Sequence, residues 1–289
     1  MANFTKRVPE NVAGDFFVDT TCIDCDTCRQ VAPAVFAEGD GHAFVHHQPQ
    51  EPKSRRQALH ALLSCPTGSI GTRGTEKAAS ALDDFPLSIE GPVSYCGFNS
   101  PKSYGGNSYF VRHPEGNWLI DSPKFLPRLV KRFEELGGVK TIFLTHSDDV
   151  ADATLFAEHF GATRVIHRDE LHSQPGAEHV LDGDDPIALA PEFAAIPTPG
   201  HTKGHCVLLF RERFLFTGDH LGWDRHGDRL VMSRDYCWHS WRRQTESMER
   251  LAAFSFEWVL PGHGQRVWLP GDVMRQQVAQ LSRSMGREP

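Results

Sequence analysis

The stretch LTHSDDVADA, residues 144–153, places one histidine and three aspartates directly after a short apolar run. The four side chains are His146, Asp148, Asp149 and Asp152. Imidazole and carboxylate groups are common protein ligands of divalent metal ions, and a strand that ends in them delivers them to one edge of a rigid scaffold. The stretch therefore predicts a metal site, for which the rest of the chain must supply further ligands.

The composition limits the classes of partner. A chain of 289 residues, 39% hydrophobic and 23% charged, is expected to be globular, with one large domain and one small one. A formal net charge of −7 without a long basic run argues against nucleic acid as a partner. Because the sequence has no signal-peptide pattern and no apolar run of bilayer length, we expect a cytoplasmic protein with no membrane partner. We expect its substrate to be a small molecule.

Four cysteines form a second constellation. Cys22, Cys25 and Cys28 lie in CIDCDTC, and Cys65 lies in SCPTGSI directly before a proline. Three clustered thiolates with a distant fourth suit the corners of an iron-sulfur cube, whereas structural zinc normally uses two separated pairs. In the two-cluster bacterial pattern a further cysteine serves the other cluster, and here that position is Ala32. The four cysteines are therefore predicted to bind one 4Fe-4S cluster.

The segments CIDCDTC, APAVF, GDGHAFV and SCPTGSI together resemble a bacterial single-cluster ferredoxin over residues 14–72. The resemblance implies an α+β ferredoxin domain, residues 1–75, that transfers one electron at low potential, with a redox partner protein. A cluster that only stabilises its domain is the alternative. A small, polar stretch follows and predicts a linker at residues 76–85, before a second domain at residues 86–289.

The second domain alternates short apolar runs with helix-like stretches, an α/β pattern. HCVLLF and RFLFTG, separated by Arg-Glu, predict a β-hairpin over residues 205–218. FLPRLVKRFEELGG, residues 125–138, predicts an amphipathic helix closed by glycines. Residues 272–289 predict a last surface helix with a frayed end.

Four more apolar runs of this domain end in ligand-type residues. They are LIDSP (119–123), PTPGHTKGH (197–205), FTGDHL (216–221) and LPGHG (260–264). In this order, and together with LTHSDDVADA, they resemble the metallo-β-lactamase fold superfamily over residues 86–270. The resemblance implies an αββα sandwich whose motifs hold one or two metal ions, and it implies these ligands: His146, Asp148, His201, Asp219 and His263.

The family motif T-H-x-H-x-D-H is altered in this chain. Asp148 stands at the second histidine position. Asp152 would take the motif aspartate and Ala153 the last histidine, while Asp149 competes with Asp152, so these two aspartates are the candidate catalytic carboxylates. Because alanine has no ligand atom, one divalent ion, iron or zinc, is expected, and a second ion would need a water or His220 instead.

Three functions remain open at this point. A carboxylate in place of imidazole makes the bound ion a weaker Lewis acid, and mixed histidine and carboxylate ligation suits ferrous iron. The first hypothesis is therefore a redox enzyme in which the ferredoxin module serves a mononuclear site of the metallo-β-lactamase type. The second is a metal-dependent hydrolase of an ester, thioester or lactone with a structural or sensing cluster. The third is a non-catalytic electron carrier with a degenerate metal site.

Overall fold

The computed structural model describes residues 2–74 and 78–286. The chain divides into two compact units, Met1–Val139 and Lys140–Pro289. Every helix in the described part of the chain is too short or too polar to span a bilayer. The predicted boundaries at residues 75 and 86 lie inside the first unit and stay predictions.

The first unit begins with the cysteine-bearing part. Its elements are β1 (Phe16–Val18), α1 (Thr27–Val31), β2 (Phe36–Glu38), β3 (Ala43–Val45), α2 (Pro52–Ser64) and β4 (Ile70–Thr72). β1 pairs antiparallel with β4, and β2 pairs antiparallel with β3. Apolar side chains from these strands and from α2, among them Phe16, Phe36 and Leu59, form one buried cluster.

The segment predicted as a linker is folded over its described part. Residues Ala78–Asp84 form a 3₁₀ helix, whereas Glu76 and Lys77 lie outside the described residues. Ala81 is fully buried in the same apolar cluster as α2. The Asp84 carboxylate lies 2.5 Å from both the Arg56 guanidinium and the His60 ring. These contacts attach the segment to the cysteine-bearing part.

The first unit continues with an antiparallel meander followed by a helix. These elements are β5 (Leu87–Glu90), β6 (Val93–Tyr95), β7 (Tyr109–Val111), β8 (Trp118–Ile120) and α3 (Pro127–Glu135). Tyr95 pairs with Tyr109, which in turn pairs with Ile120. The Phe133 ring of α3 stacks on Phe110 with ring centroids 4.6 Å apart. The predicted amphipathic helix is present, and Gly137 and Gly138 follow it with positive φ.

The second unit starts with a parallel ladder and continues with a mixed sheet. Its elements are β9 (Thr141–Phe143), α4 (Ala153–Phe160), β10 (Thr163–His167), β11 (His179–Leu181), β12 (Ile187–Ala190), β13 (Phe193–Pro197), β14 (Cys206–Phe210), β15 (Phe214–Gly218), β16 (Gly222–Asp224), β17 (Arg229–Val231), α5 (Trp241–Leu251), β18 (Trp258–Pro261), β19 (Val267–Trp268) and α6 (Gly271–Met285). The predicted hairpin is formed by β14 and β15. Arg211 and Glu212 both have positive φ, as a two-residue turn of type I′ requires.

In the mixed sheet the strand order is β12-β13-β14-β15-β18-β19. β13 and β15 are each antiparallel to β14, and β15 is parallel to β18. The strands β13, β15 and β18 therefore run in the same direction, and their C-terminal ends lie at one edge of the sheet. Buried side chains of α5 and α6, such as Met248 and Val278, pack with Leu215 and Val259 of the sheet. The end of the predicted terminal helix, residues 287–289, lies outside the described residues.

Candidate metal centre

The candidate ligands of the second unit are carried by segments that follow strand ends. His146 follows β9, His201 follows β13, Asp219 follows β15 directly and His263 follows β18. Because β13, β15 and β18 end at the same sheet edge, three of these side chains reach one place from distant parts of the sequence. The short 3₁₀ helix Ser147–Asp149 then turns two aspartates toward that place.

One group of ligand atoms surrounds a first ion position. The Asp148 Oδ2 lies 3.4 Å from His201 Nε2 and 4.0 Å from His146 Nε2. Both of these nitrogens lie 3.7 Å from Asp219 Oδ2. Two imidazoles and two carboxylates thus converge at spacings that one divalent ion can bridge.

A second group shares Asp219 with the first. His263 Nε2 lies 3.9 Å from Asp149 Oδ1 and 3.9 Å from Asp219 Oδ2. Ligand atoms of His146, Asp149 and Asp219 lie within 4.8 Å of one another. Asp219 therefore occupies the place of a bridging carboxylate between two adjacent positions.

The structure distinguishes the two aspartates that compete for the motif position. Asp149 is 1% exposed and belongs to the second ligand group. Asp152 instead precedes α4, and its backbone carbonyl accepts a hydrogen bond from the amide of Leu155. Ala153 opens that helix and is buried. Among the described residues, neither Asp152 nor His220 belongs to a ligand group, although the His220 side chain is buried.

The donor set fits a metal ion. His146 Nε2, His201 Nε2 and Asp219 Oδ1 are buried and have no hydrogen-bond partner among the described residues. Such buried polar atoms normally have a partner, so the two imidazole nitrogens, each 3.7 Å from Asp219 Oδ2, match the donors of an ion. Burial lowers the pKa of His146 to about 4, and the neighbouring His201 imidazole lowers the pKa of the Asp148 carboxylate to about 2. Both donors are thus deprotonated at neutral pH, as metal ligation requires.

Hydrogen bonds to the other ring nitrogens orient the two buried histidines. His146 Nδ1 lies 2.9 Å from the Thr145 hydroxyl, and His201 Nδ1 donates to the backbone carbonyl of Tyr236. Each histidine therefore presents Nε2 to the site. Such partners fix the tautomer and the ring orientation of metal-binding histidines.

Glu170 connects two of the ligand-bearing segments, a role that the sequence motifs did not indicate. It is 2% exposed and lies in the 3₁₀ helix Arg168–Ser173. Its carboxylate accepts hydrogen bonds from the amide of Ser147 at 3.0 Å and from the amide of Gly204 at 2.6 Å. The carboxylate thereby holds the segment after His146 against the segment after His201.

Two further features constrain the carboxylates. The backbone amide of Asp219 donates to His205 Nε2 at 3.2 Å, and His205 Nδ1 lies 2.9 Å from the Thr198 hydroxyl. A Cβ at Gly262 would lie 2.5 Å from Asp149 Oδ2 and 2.8 Å from Asp219 Oδ1. Only glycine therefore leaves room for both carboxylates at this position.

Two exposed aromatic side chains adjoin the site. Tyr236 is 65% exposed and Trp238 is 62% exposed, and their rings meet edge to face. The Trp238 amide donates a hydrogen bond to the carbonyl of His201, and the centroids of the Trp238 and His201 rings lie 6.0 Å apart. The aromatic pair is thus fixed beside a ligand and open to solvent.

The four cysteines of the first unit line one cavity, together with apolar side chains such as Ile70. Among the described residues, no three of their sulfurs lie within 4.8 Å of one another, whereas Zn–S bonds of about 2.3 Å would bring four sulfurs to roughly 3.8 Å. Burial raises the pKa of Cys25 to about 11. The cavity therefore suits a group larger than one ion that binds thiolates.

Comparisons with known families match both parts of the chain. The family model described as 4Fe-4S single cluster domain of Ferredoxin I matches residues 18–72. The family model described as Metallo-beta-lactamase superfamily matches residues 88–282, more than half of the chain. Both predicted resemblances are therefore confirmed, and the chain carries a 4Fe-4S single-cluster domain.

Similar proteins and solved structures agree with the second match. A hydroxyacylglutathione hydrolase of Citrobacter koseri is 34% identical over 127 residues, which are 43% of this chain and 50% of that protein. The chain thus spans about half the length of the curated relatives it matches. The structure of the BLEG-1 B3 metallo-β-lactamase covers 67% of this chain and 99% of its own, with a TM-score of 0.52 at 16% identity.

The FIM-1 metallo-β-lactamase of Pseudomonas aeruginosa, in its mono-zinc form, covers 70% of this chain and 95% of its own. Its TM-score is 0.51 at 18% identity, which establishes similarity of fold. The predicted architecture, an α+β ferredoxin domain followed by an αββα sandwich, is confirmed. By the match over residues 88–282, the chain belongs to the metallo-β-lactamase superfamily.

Proposed function

We propose that the protein is a metal-dependent hydrolase of acyl thioesters. The observation that carries this proposal is the convergence of His146, Asp148, His201 and Asp219 around one position, with buried Nε2 atoms that have no hydrogen-bond partner in the described part of the chain. The reaction class is supported by the partial similarity to hydroxyacylglutathione hydrolases, whose name describes cleavage of an acyl group from a thiol. The proposed centre holds one ion, iron or zinc.

The ligand chemistry favours a thioester over an oxygen ester or an amide. A divalent ion bound here would polarise a substrate carbonyl and a water molecule as a Lewis acid. The Asp148 carboxylate adds negative charge where the family motif has an imidazole, so it weakens that polarisation. A thiol leaves as a thiolate with a pKa of about 8.5 and needs less protonation than an alcohol or an amine. A thioester therefore demands the least of such a site.

The chain's own groups have separable tasks in this proposal. His146 and His201 are held with Nε2 toward the reacting centre by the partners of their Nδ1 atoms. Asp149 is a buried carboxylate 3.9 Å from His263, and we assign it to accepting a proton from the attacking water. The Asp219 carboxylate lies between the two positions, 3.7 Å from His201 Nε2 and 3.9 Å from His263 Nε2, and would be a ligand of the ion at the first position.

The exposed aromatic pair is proposed to contact the thiol-bearing or acyl part of the substrate. Trp238→Ala should raise KM several-fold with a smaller change in kcat, because the ring lies beside His201 without being a ligand. Trp268→Ala is the matched control. This tryptophan is 46% exposed and lies in β19, which pairs with β18. Equal KM values for the two variants would remove Trp238 from the substrate-binding surface.

Metal analysis and kinetics on the anaerobically purified full chain test the proposal. We expect one divalent ion per chain in addition to the iron of the cluster, and cleavage of a model thioester at the same rate with the cluster oxidised or reduced. His201→Ala should lose both the additional ion and the cleavage. A fully loaded protein that leaves every thioester, ester and lactone intact would contradict hydrolysis.

The second candidate is a redox enzyme in which the cluster supplies electrons to iron at the same site. It is favoured by the 4Fe-4S domain in the same chain and by the carboxylate-rich donor set, which suits ferrous iron. This candidate predicts iron rather than zinc at the site and turnover only with a one-electron donor. Thioester cleavage that is independent of the cluster's redox state would rule it out.

A further inference from the structure

Residues from outside the ferredoxin sequence motifs cover the turns that carry the four cysteines. Asn99, Tyr104, Gly105 and Lys124, which we call the outer wall, all lie within the metallo-β-lactamase match and within the first unit. They contact the turns that carry the cysteines. The ferredoxin match, which ends at residue 72, contains none of them.

Hydrogen bonds attach the outer wall to the loop around Cys25. The Tyr104 hydroxyl donates to the carbonyl of Ile23 at 2.6 Å. The Asn99 amide donates to the Thr27 hydroxyl at 3.1 Å and to the carbonyl of Gly105 at 2.7 Å. One buried side chain thus joins the cysteine loop to the opposing loop.

Gly105 brings the opposing backbone into contact with a cluster ligand. It has φ of +90°, and a Cβ on it would lie 3.1 Å from Cys25 Sγ and 3.0 Å from Pro66 Cγ. The loop therefore covers the Cys25 sulfur and the turn after Cys65 at once. A larger residue at this position would both strain the backbone and push the wall away from the sulfur.

Lys124 places a positive charge at the turn of the fourth cysteine. Its Nζ donates to the carbonyl of Pro66 at 2.7 Å and lies 3.5 Å from the carbonyl of Cys65. The loop of the first three cysteines carries Asp24 and Asp26, and both are engaged by the buried Arg29 guanidinium at 2.6 and 2.5 Å. The lysine is thus a cation at the backbone of the Cys65–Pro66 turn, whereas the charges of the first cysteine loop are paired with one another.

We propose that Lys124 raises the reduction potential of the cluster, so that a residue of the metallo-β-lactamase part sets the potential of the ferredoxin part. Reduction adds one electron, taken from a low-potential one-electron donor, to the cube and makes it one unit more negative. No bond forms or breaks. A nearby fixed cation stabilises the more negative form, which shifts the equilibrium toward the reduced cluster. Lys124 acts only through the electrostatic effect of its charge on the cluster and is not itself reduced.

Potentiometric titration of the full chain under anaerobic conditions, followed by the paramagnetic resonance signal of the reduced cluster, tests this role. Lys124→Gln keeps a hydrogen-bond donor and removes the charge. At a fixed solution potential it should lower the ratio of reduced to oxidised cluster about threefold to tenfold, and tenfold corresponds to about 59 mV for one electron. Lys124→Arg, which retains the charge, should keep the potential of the unmodified protein.

A matched control removes the same charge elsewhere in the first unit. Lys131 lies on α3 beside Asp83 and Arg128, so Lys131→Gln should leave the potential unchanged. If glutamine disturbs folding, Lys124→Met provides a second neutral variant. Neutral variants with a bound cluster and an unaltered potential would overturn the proposal, and so would a shift of equal size in Lys131→Gln.

Discussion

His201→Ala should abolish the stabilisation of the protein by its divalent metal ion. His201 is 2% exposed, and its Nε2 lies within 3.7 Å of two carboxylates that belong to the first ion position. Removing the imidazole leaves His146 as the single nitrogen donor of that position. The remaining carboxylates bind a divalent ion weakly, because the borderline-soft ions expected here prefer imidazole.

The size of the effect follows from linkage between binding and folding. An ion present at 100 times its dissociation constant, and bound only by the folded protein, stabilises the fold by about 2.7 kcal/mol. For a unit of 150–250 residues, each kcal/mol raises Tm by about 2–4 °C, so the ion should raise Tm by roughly 5–11 °C. The substitution also costs stability without metal, since it empties a buried site. The relevant quantity is therefore the metal-dependent increment in Tm.

Thermal unfolding with and without a chelator, under anaerobic conditions that preserve the cluster, measures this increment. His172→Ala is the matched control, because His172 is exposed in the second unit and belongs to neither ligand group. We expect the full increment in the control and almost none in His201→Ala. A His201→Ala protein that keeps more than half of the increment would refute the assignment of the first ion position.

Three further predictions concern the two metal-binding parts. Gly262→Ala should weaken binding of the divalent ion at least tenfold, because its methyl group would displace the Asp149 and Asp219 carboxylates. Gly222→Ala is the control and should have little effect, because the atom nearest to its methyl group would be 3.6 Å away. Isothermal titration with the metal ion compares the dissociation constants of the two variants. Asp149→Ala should reduce thioester cleavage far more than Asp152→Ala, and equal rates for the two variants would mean that the buried carboxylate is dispensable. Cys65→Ser should abolish or shift the visible absorbance of the cluster, and an unchanged spectrum would contradict ligation by four cysteines.

Much of the candidate site could be predicted because its ligands end apolar strands. His146, His201, Asp219 and His263 each follow a buried run, and strands that end at one sheet edge bring such residues together. The competition between Asp149 and Asp152 could not be decided from the sequence. It depends on whether the chain turns into a 3₁₀ helix directly after His146, and spacing alone does not report that conformation.

Glu170 shows a second kind of limit. It carries no motif, and its neighbours in RDELHS resemble an ordinary polar turn. Its importance comes from burial and from two backbone amides, those of Ser147 and Gly204, that are distant in sequence. Every residue except proline has a backbone amide, so a hydrogen bond to that amide does not require a particular residue type at the partner position. The sequence therefore does not show such contacts, and a structure is needed to find them.

The placement of the cluster changes what the ferredoxin part can do. A ferredoxin joined by a flexible tether could carry electrons by moving between sites. Here the described part of the predicted linker forms a 3₁₀ helix that packs against α2 through the buried Ala81, and Asn99 and Lys124 donate hydrogen bonds to the cysteine-bearing turns. Each of these contacts must break before the module could move. The cysteine-bearing part is therefore held against the fold that follows it in the chain, which is the arrangement that the proposed effect of Lys124 on the cluster potential requires.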